Sequence, residues 1–266
     1  MTSDSSSSSR GISKATNNLQ DVFAKLASGS RIRKASDDPA GLSVAAQLDA
    51  VATTLSQGSR NAADSQSALA IADSAVSQIS DIAGRLQELA TQAGSGTLSD
   101  DQRQTLQAEY GQLTQEIQRI SATTEFNGKQ LLGGEGVTTQ VGTDSSANSQ
   151  ISYGGVDISS LVSSVASGSI ATQAGAQQAI DQVNSFISGV ASKRGEIGAA
   201  SSRLEVADNN NQVQRENALA AESRIRDADV ADLTAQKVAA QIQLRASTAI
   251  SAQANQSTAI VRQLLS

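Results

Sequence analysis

The chain has 266 residues, enough for one large domain or two small ones, and only 2% of them are aromatic. Twenty basic and 26 acidic residues give a net charge of −6, which argues against nucleic acid as a partner because such binding needs basic patches. The absence of histidine and cysteine excludes serine–histidine triads, HExxH zinc sites and cysteine–histidine catalysis. We therefore expect no enzyme, no catalytic residue, no metal site and no cofactor.

The apolar residues are mostly alanine, leucine, isoleucine and valine, which suit thin cores between closely packed helices. The single proline, Pro39, leaves room for very long helices. No apolar run approaches the roughly 18 residues of a membrane-spanning helix, so we expect no membrane insertion. The first thirteen residues, MTSDSSSSSRGIS, lack the apolar stretch of a secretory signal, and export would need another route.

The N-terminal segment predicts one amphipathic helix after a polar tract. Residues 1–9 are rich in serine, and we expect them to be disordered or weakly ordered. From about Arg10 an apolar stripe repeats at spacings of 7, 3 and 4 residues, which is helical; its members are Ile12, Leu19, Val22 and Leu26. Gly29 is the expected end of this helix.

A second, much longer helix is predicted to start at Pro39. Ser36, Asp37 and Asp38 precede the proline, and a polar cap followed by proline is a strong start signal. The helix would run to about Ala93 and, at 1.5 Å per residue, reach on the order of 80 Å. Its second half carries an apolar stripe spaced 7, 3, 4, 3 and 4, formed by Leu69, Val76, Ile79, Ala83, Leu86 and Ala90.

The short turn at residues 94–97 predicts a third helix that packs antiparallel to the second. Ser99 is a cap, and Gln102 occupies the third helical position of a capping box. Beyond it, a seam with spacings of 4, 3, 4 and 3 predicts coiled-coil packing and comprises Leu106, Tyr110, Leu113, Ile117 and Ile120.

The segment 126–175 departs from the helical pattern. Asn127-Gly128 and Gly133-Gly134 are turn signals. The β-prone runs 137–141 and 151–153 flank a polar loop and predict a small hairpin.

The remainder predicts a helix from about Thr172 to beyond Ala221 and a last amphipathic segment from about Asp229 to Leu265. The fold class is therefore mostly α: a long antiparallel helical bundle or coiled coil with a small β-hairpin region and paired termini. The paired carboxylates Asp37-Asp38 and Asp227/Asp229 predict caps and salt bridges rather than a metal site.

Several sequence blocks, in one order, resemble bacterial flagellin over nearly the whole chain. The N-terminal blocks are LASGSRI at 26–32, ASDDPAGL at 35–42, SRNA at 59–62 and RLQELATQ at 85–92. FNGKQLL at 126–132, SRIRDAD at 223–229 and AQANQ at 252–256 follow. The serine tract at 2–9 departs from the family's apolar N-terminus, so the seam would begin only at Ile12.

The resemblance implies an architecture in which the two termini pair and line the inner tube of a filament. Larger surface domains of the family are missing, because only 126–175 separates the two matching halves. The implied divisions are an N-terminal inner-tube helix at 1–36, bundle helices at 37–125, a hairpin and loop region at 126–175, a bundle helix at 176–226 and a C-terminal inner-tube helix at 227–266.

The resemblance also implies a function: a structural subunit that polymerises into the flagellar filament for motility. It would be secreted through the flagellar export apparatus and act outside the cell. Its partners would be itself, an export chaperone, and the filament cap and hook-junction proteins. A hook–filament junction protein remains an alternative, as does a secreted helical adhesin or host-binding module.

Two sets of residues carry the implied contacts. A surface around the second and third helices would contact a neighbouring subunit and the mammalian Toll-like receptor that senses flagellin; it comprises Arg85, Glu88, Leu89, Gln92 and Glu109. By itself, the spacing of Arg85 and Glu88 indicates only a solvated ion pair. The terminal assembly seam comprises Ile12, Leu19, Val22, Leu26, Leu233, Leu244, Ile250, Val261, Leu264 and Leu265.

Overall fold

A computed structural model describes the backbone of residues 2–153 and 155–264, and the side chains of residues 9–153, 155–257, 259 and 260. Over this range the fold is mostly α, as predicted. The helices are α1 (Thr2–Ser28), α2 (Pro39–Ala93), α3 (Asp100–Thr123), α4 (Ser159–Ala166), α5 (Gln173–Arg226) and α6 (Val230–Leu264). The strands are β1 (Glu125–Phe126), β2 (Lys129–Gln130), β3 (Val137–Gln140) and β4 (Gln150–Tyr153).

The chain forms two compact units. The terminal unit contains the residues up to Ala52 and those from Glu216 onward, and the central unit is Thr53–Arg215. The contacts divide the chain inside α2 and α5, whereas the sequence places its divisions near helix ends. The five-part division stays a prediction.

In the terminal unit, α1 packs against α6 and runs antiparallel to it. The end of α1 lies beside the start of α6, because the Arg31 amide donates to the Arg226 carbonyl at 2.7 Å and the Ala228 amide to the Gly29 carbonyl at 2.9 Å. Gly29 has a φ of +65°, which ends α1 where the sequence predicted. The helix begins at Thr2 rather than near Arg10. Serine disfavours a helix only modestly, so an existing helix extends through the tract.

Carboxylates cap α2 and α6, and of the first predicted pair only Asp38 acts as a cap, because Asp37 binds amides that precede α2. Asp38 Oδ1 accepts from the Gly41 amide at 2.9 Å at the start of α2. Asp37 Oδ2 accepts from the Arg33 and Lys34 amides, and these hydrogen bonds lower the pKa of Asp37. Asp229 Oδ1 caps α6 by accepting from the Ala231 amide at 2.8 Å. The predicted salt bridging of the second pair is wrong, because Asp227 accepts from the Ser223 hydroxyl instead.

The central unit packs α2, α3 and α5 around one apolar core. The capping box predicted at the start of α3 is present, with Ser99 and Gln102 bonding each other's backbone. The core contains Val76, Ile79, Leu86, Tyr110, Ile117, Phe186 and Leu204. Burial raises the pKa of Tyr110 to about 12. Most of the predicted stripes on α2 and α3 therefore face this core.

A buried arginine fastens the turn between α2 and α3. The Arg103 side chain is 6% exposed, and its guanidinium donates to the Ala93 carbonyl at 2.9 Å, the Ser95 carbonyl at 2.8 Å and the Asp100 carboxylate at 3.0 Å. These bonds satisfy carbonyls that the end of α2 leaves without helical partners. Sequence reasoning missed this residue, because arginine on a helix normally indicates a solvated position.

Replacing this arginine should destabilise the central unit. In Arg103→Met, two carbonyls lose their donors, and we expect the free energy of unfolding to fall by about 3 kcal/mol. Urea denaturation followed by circular dichroism measures the change. Arg119→Met is the matched control, because Arg119 is on the same helix but its pair with Glu116 is exposed. Equal effects of the two substitutions would contradict a fastening role for Arg103.

The middle segment forms two small antiparallel strand pairs. Asn127 and Gly128, with φ of 51° and 76°, turn β1 into β2 as an Asn-Gly turn requires. The predicted hairpin is confirmed, with β3 paired to β4. The sequence did not predict α4, which is short and serine-rich. Its buried Val162 and Val165 pack into the core, and Asp157, two residues before its start, accepts from the Ser159 amide at 2.9 Å.

Candidate functional site

The N-terminal part of the predicted assembly seam lies on the buried side of α1. Val22 is buried, and Ile12, Leu19 and Leu26 are half-buried. Ala15 is also buried on this side, and sequence reasoning missed it because its small side chain adds little to an apolar pattern. The stripe thus packs within the terminal unit of a single chain.

On the C-terminal side, two of the predicted seam residues pack within the single chain and a third does not. Leu233 is buried and Leu244 is half-buried on α6. Ile250 is 65% exposed, so it is not a seam residue of the single chain. The seam instead continues seven residues after Leu244, at Ser251, and small residues there gave no apolar signal. The side chains predicted nearer the end, Val261, Leu264 and Leu265, lie outside the described residues.

A second apolar face of α6, formed by Val238, Ile242 and Ile260, lies opposite the seam. At 3.6 residues per turn these positions fall about half a turn from Leu233 and Leu244. All three side chains are at least half exposed. Val238 and Ile242 are about one turn apart, and Ile260 lies about five turns further along the same side of α6, so together they form an exposed apolar stripe.

A cation–π contact joins α1 to α6 within the terminal unit. The Lys237 ammonium lies 5.0 Å from the centroid of the Phe23 ring. Phe23 is nearly half exposed, and Lys237 is half-buried at a seam position of α6. The lysine therefore adds a polar, orientation-dependent contact beside the apolar residues of the seam.

The predicted surface on the central unit is organised around Arg85. Its Nη1 donates to Glu88 Oε2 at 2.8 Å, and its Nε and Nη2 donate to Glu109 Oε1 at 2.9 and 2.7 Å. These hydrogen bonds, first that of Glu88, raise the pKa of the guanidinium above its ordinary value. The cluster holds one cation between two carboxylates on the exposed side of α2 and α3.

Four of the five predicted surface residues fit this face, and one does not. Glu88 and Gln92 are exposed on α2, and an open polar groove runs past them from Asp81. Leu89 is 0% exposed and belongs to the core, so its place on the surface is a wrong prediction. It lies three residues after the core residue Leu86, which puts it on the inner side of the helix.

No group of three or more acidic side chains that could hold a metal ion occurs among the residues whose side chains the structure describes. Within the same part of the chain, none of the helices combines the length and apolar character needed to cross a membrane.

Known proteins resemble the chain over nearly its whole length. The family model of the bacterial flagellin N-terminal helical region matches residues 2–137, and that of the C-terminal helical region matches residues 178–265. A flagellin of Halalkalibacterium halodurans is 37% identical over 251 residues, covering 94% of this chain and 92% of that protein. A 30.7 kDa flagellar filament core protein of Treponema maltophilum is 32% identical over 263 residues, covering 93% and 92% of the two chains.

A solved structure agrees with these matches. The crystal structure of Bacillus cereus flagellin superposes with a TM-score of 0.52 at 29% identity and covers 57% of this chain and 88% of that one. The regions that the two family models match include both halves of the terminal unit and the helices that carry the Arg85 cluster. The chain therefore belongs to the bacterial flagellin family.

Proposed function

We infer that the chain is the structural subunit of an extracellular bacterial flagellar filament, which serves motility. Relatives of almost the same length that are named flagellin or filament core protein support this function. The observation that carries it is the second apolar face of α6. A single chain pairs the seam of α6 with α1 and leaves Val238, Ile242 and Ile260 exposed, as expected for a subunit that completes its packing only in an assembly.

Assembly would proceed by burying this face against other copies. Removing a valine or isoleucine side chain from water contributes about 1.5–3 kcal/mol, and the face repeats in every subunit. If one patch binds a different patch on the next copy, the contact repeats without closing and gives an open helical polymer. The protein would then act by mechanical assembly rather than by catalysis.

We propose that the Arg85 surface also makes contacts between subunits and, in a mammalian host, contacts the Toll-like receptor that senses flagellin. The guanidinium is already oriented by Glu88 and Glu109, so little side-chain ordering opposes binding. Gln87 is held by Asn184 of α5 at 2.8 Å, which fixes the neighbouring side chain on the same face. Such a preorganised polar face suits a contact that is specific rather than strongly apolar.

The remaining partners follow from the same role. An export chaperone would bind α6 and cover its second apolar face before secretion through the flagellar export apparatus. The filament cap and hook-junction proteins would meet the subunit at the two ends of the polymer. The absence of cysteine and the single proline suit a chain that must refold quickly after passing a narrow channel.

Electron microscopy of the purified protein after addition of filament seeds tests the function. A flagellin should elongate the seeds into long filaments. A hook–filament junction protein should add only short segments, and a secreted helical adhesin should add none. Short or absent elongation at concentrations that polymerise a known flagellin would contradict the proposed function.

Charge reversal tests the Arg85 surface. In Arg85→Asp, three carboxylates would repel one another where a cation now bridges two, and we expect slower elongation and weaker activation of the receptor in reporter cells. Arg119→Asp is the control, since Arg119 also pairs with an exposed glutamate on the central unit. If Arg85→Asp left elongation and activation at the level of the control, both proposed contacts of this surface would be wrong.

A further inference from the structure

The end of strand β3 is held by one asparagine from each of the two longest helices. Asn61 of α2 donates from Nδ2 to the Gln140 carbonyl at 2.9 Å. Asn211 of α5 donates from Nδ2 to the carbonyl of the next residue, Val141, at 2.8 Å. Two helices that are far apart in sequence thus bind adjacent carbonyls, that of the last residue of β3 and that of the residue after it.

A third contact and a glycine bring the strand close to α2. Ser65 Oγ lies 2.6 Å from Thr139 Oγ1, so three consecutive residues of the strand segment bind helix side chains. Gly58 allows the approach, because a Cβ there would lie 2.2 Å from the Val141 carbonyl oxygen. Any other residue at this position would force the strand away from the helix.

Asn211 occupies a core position of α5. It is 6% exposed and lies seven residues from buried Leu204 and seven from buried Ala218. A buried asparagine at one heptad position lowers stability but selects a single register, because only that register satisfies its amide. Here the partner of the amide is a strand carbonyl rather than a second asparagine.

The apolar core beside this contact does little to prevent α2 from sliding along α5. Between Leu55 and Leu69, the buried apolar residues of α2 are only Ala62 and Ala68. Small side chains present a shallow surface, so ridges and grooves hardly interlock along this stretch. Apolar packing along this stretch therefore contributes little to the axial position of α2 against α5.

We propose that Asn61 and Asn211 form a register lock, in which the end of β3 fixes the axial position of the stretch of α2 between Leu55 and Leu69 against α5. Each helix is bound to its own carbonyl, and the carbonyls belong to adjacent residues, so a helix that slips by one turn breaks its bond. The hairpin region then has a defined structural role in the central unit, because it aligns α2 with α5. The lock belongs to the single chain and does not depend on the proposed filament.

Distances between spin labels on the two helices test the lock in the full-length monomer. The chain has no cysteine, so Ala63→Cys on α2 and Ser202→Cys on α5, both exposed, carry the labels. The unsubstituted lock should give one narrow distance distribution. Asn211→Leu and Asn61→Ala should each add a second population at a different distance, because a slip of one turn moves a label by roughly 5.4 Å along the helix axis. Asn209→Leu, at an exposed position two residues from Asn211, should keep the single narrow distance.

Two lock variants are used so that the test still gives a result if one of them fails to fold. Asn61 is only partly buried, so Asn61→Ala should fold even if Asn211→Leu does not. The proposal is wrong if the folded lock variants show the same narrow distance as Asn209→Leu. It is equally wrong if Asn209→Leu broadens the distribution as much as they do, because the effect would then come from any leucine on α5. Filament growth is not measured, so these results leave the proposed function untouched.

Discussion

Ile242→Asp should abolish filament growth while leaving a folded, helical monomer. Ile242 is 62% exposed on the second apolar face of α6, so the single chain loses little packing. In an assembled filament the substitution would remove a buried isoleucine, about 1.5–3 kcal/mol, and bury a carboxylate in its place. A loss near 3 kcal/mol at each contact raises the concentration needed for growth roughly 100-fold.

Seeded growth followed by light scattering and electron microscopy measures this effect, and circular dichroism checks the fold. Gln243→Asp is the matched control, because it adds the same charge one residue further on α6 at an exposed position away from the face. Filaments should form with the control and not with Ile242→Asp. Growth of Ile242→Asp at the rate of the control would show that the second apolar face isn't buried in the polymer.

Gly58→Ala should be the most destabilising single-methyl change in α2. The added Cβ would meet the Val141 carbonyl oxygen at 2.2 Å and Asn211 Nδ2 at 3.0 Å. Backbone cannot yield as a flexible side chain can, so the end of β3 must move and the Asn211 bond must lengthen. Overpacking and a weakened buried hydrogen bond together should lower the free energy of unfolding by about 3 kcal/mol.

Gly84 provides the control for this substitution. It lies on the same helix, and nothing lies within 4 Å of a Cβ placed on it. Gly84→Ala should therefore raise the free energy of unfolding by about 0.5–1 kcal/mol, because alanine favours a helix over glycine. Urea denaturation measures both variants. If the two substitutions changed the free energy of unfolding in the same direction, the close approach of β3 to α2 would be contradicted.

The fold could be predicted where local chemistry marks its boundaries. The cap and proline before α2, and the glycines after it, gave both ends of that helix correctly. The strand pair β3–β4 followed from β-prone runs around a polar loop. By contrast, α4 is too short for a periodic pattern, and its serines resemble those of a loop.

The candidate site was harder to predict, because its errors depend on which side of a helix faces the core. Leu89 was predicted on the contact surface and Ile250 in the seam, yet in the single chain Leu89 is buried in the core and Ile250 is exposed. In α6, alanine and serine complete the seam, so apolar periodicity gives too little contrast to find it. Asn61 and Asn211 are 150 residues apart and look like solvated polar residues, and only their shared strand reveals their role.

The composition of the α6 seam has a consequence for how the chain opens. Beyond Leu244 its half-buried positions include Ser247, Ser251 and Ala254, which remove little apolar surface from water. This part of the α1–α6 pair should therefore separate at a small cost in free energy, while the core around Phe186 stays closed. Amide hydrogens should exchange fastest in the outer turns of the pair, and a protease should cleave there first. A free subunit would thus lose its ends to proteolysis long before its centre, whereas one held in a polymer would keep them.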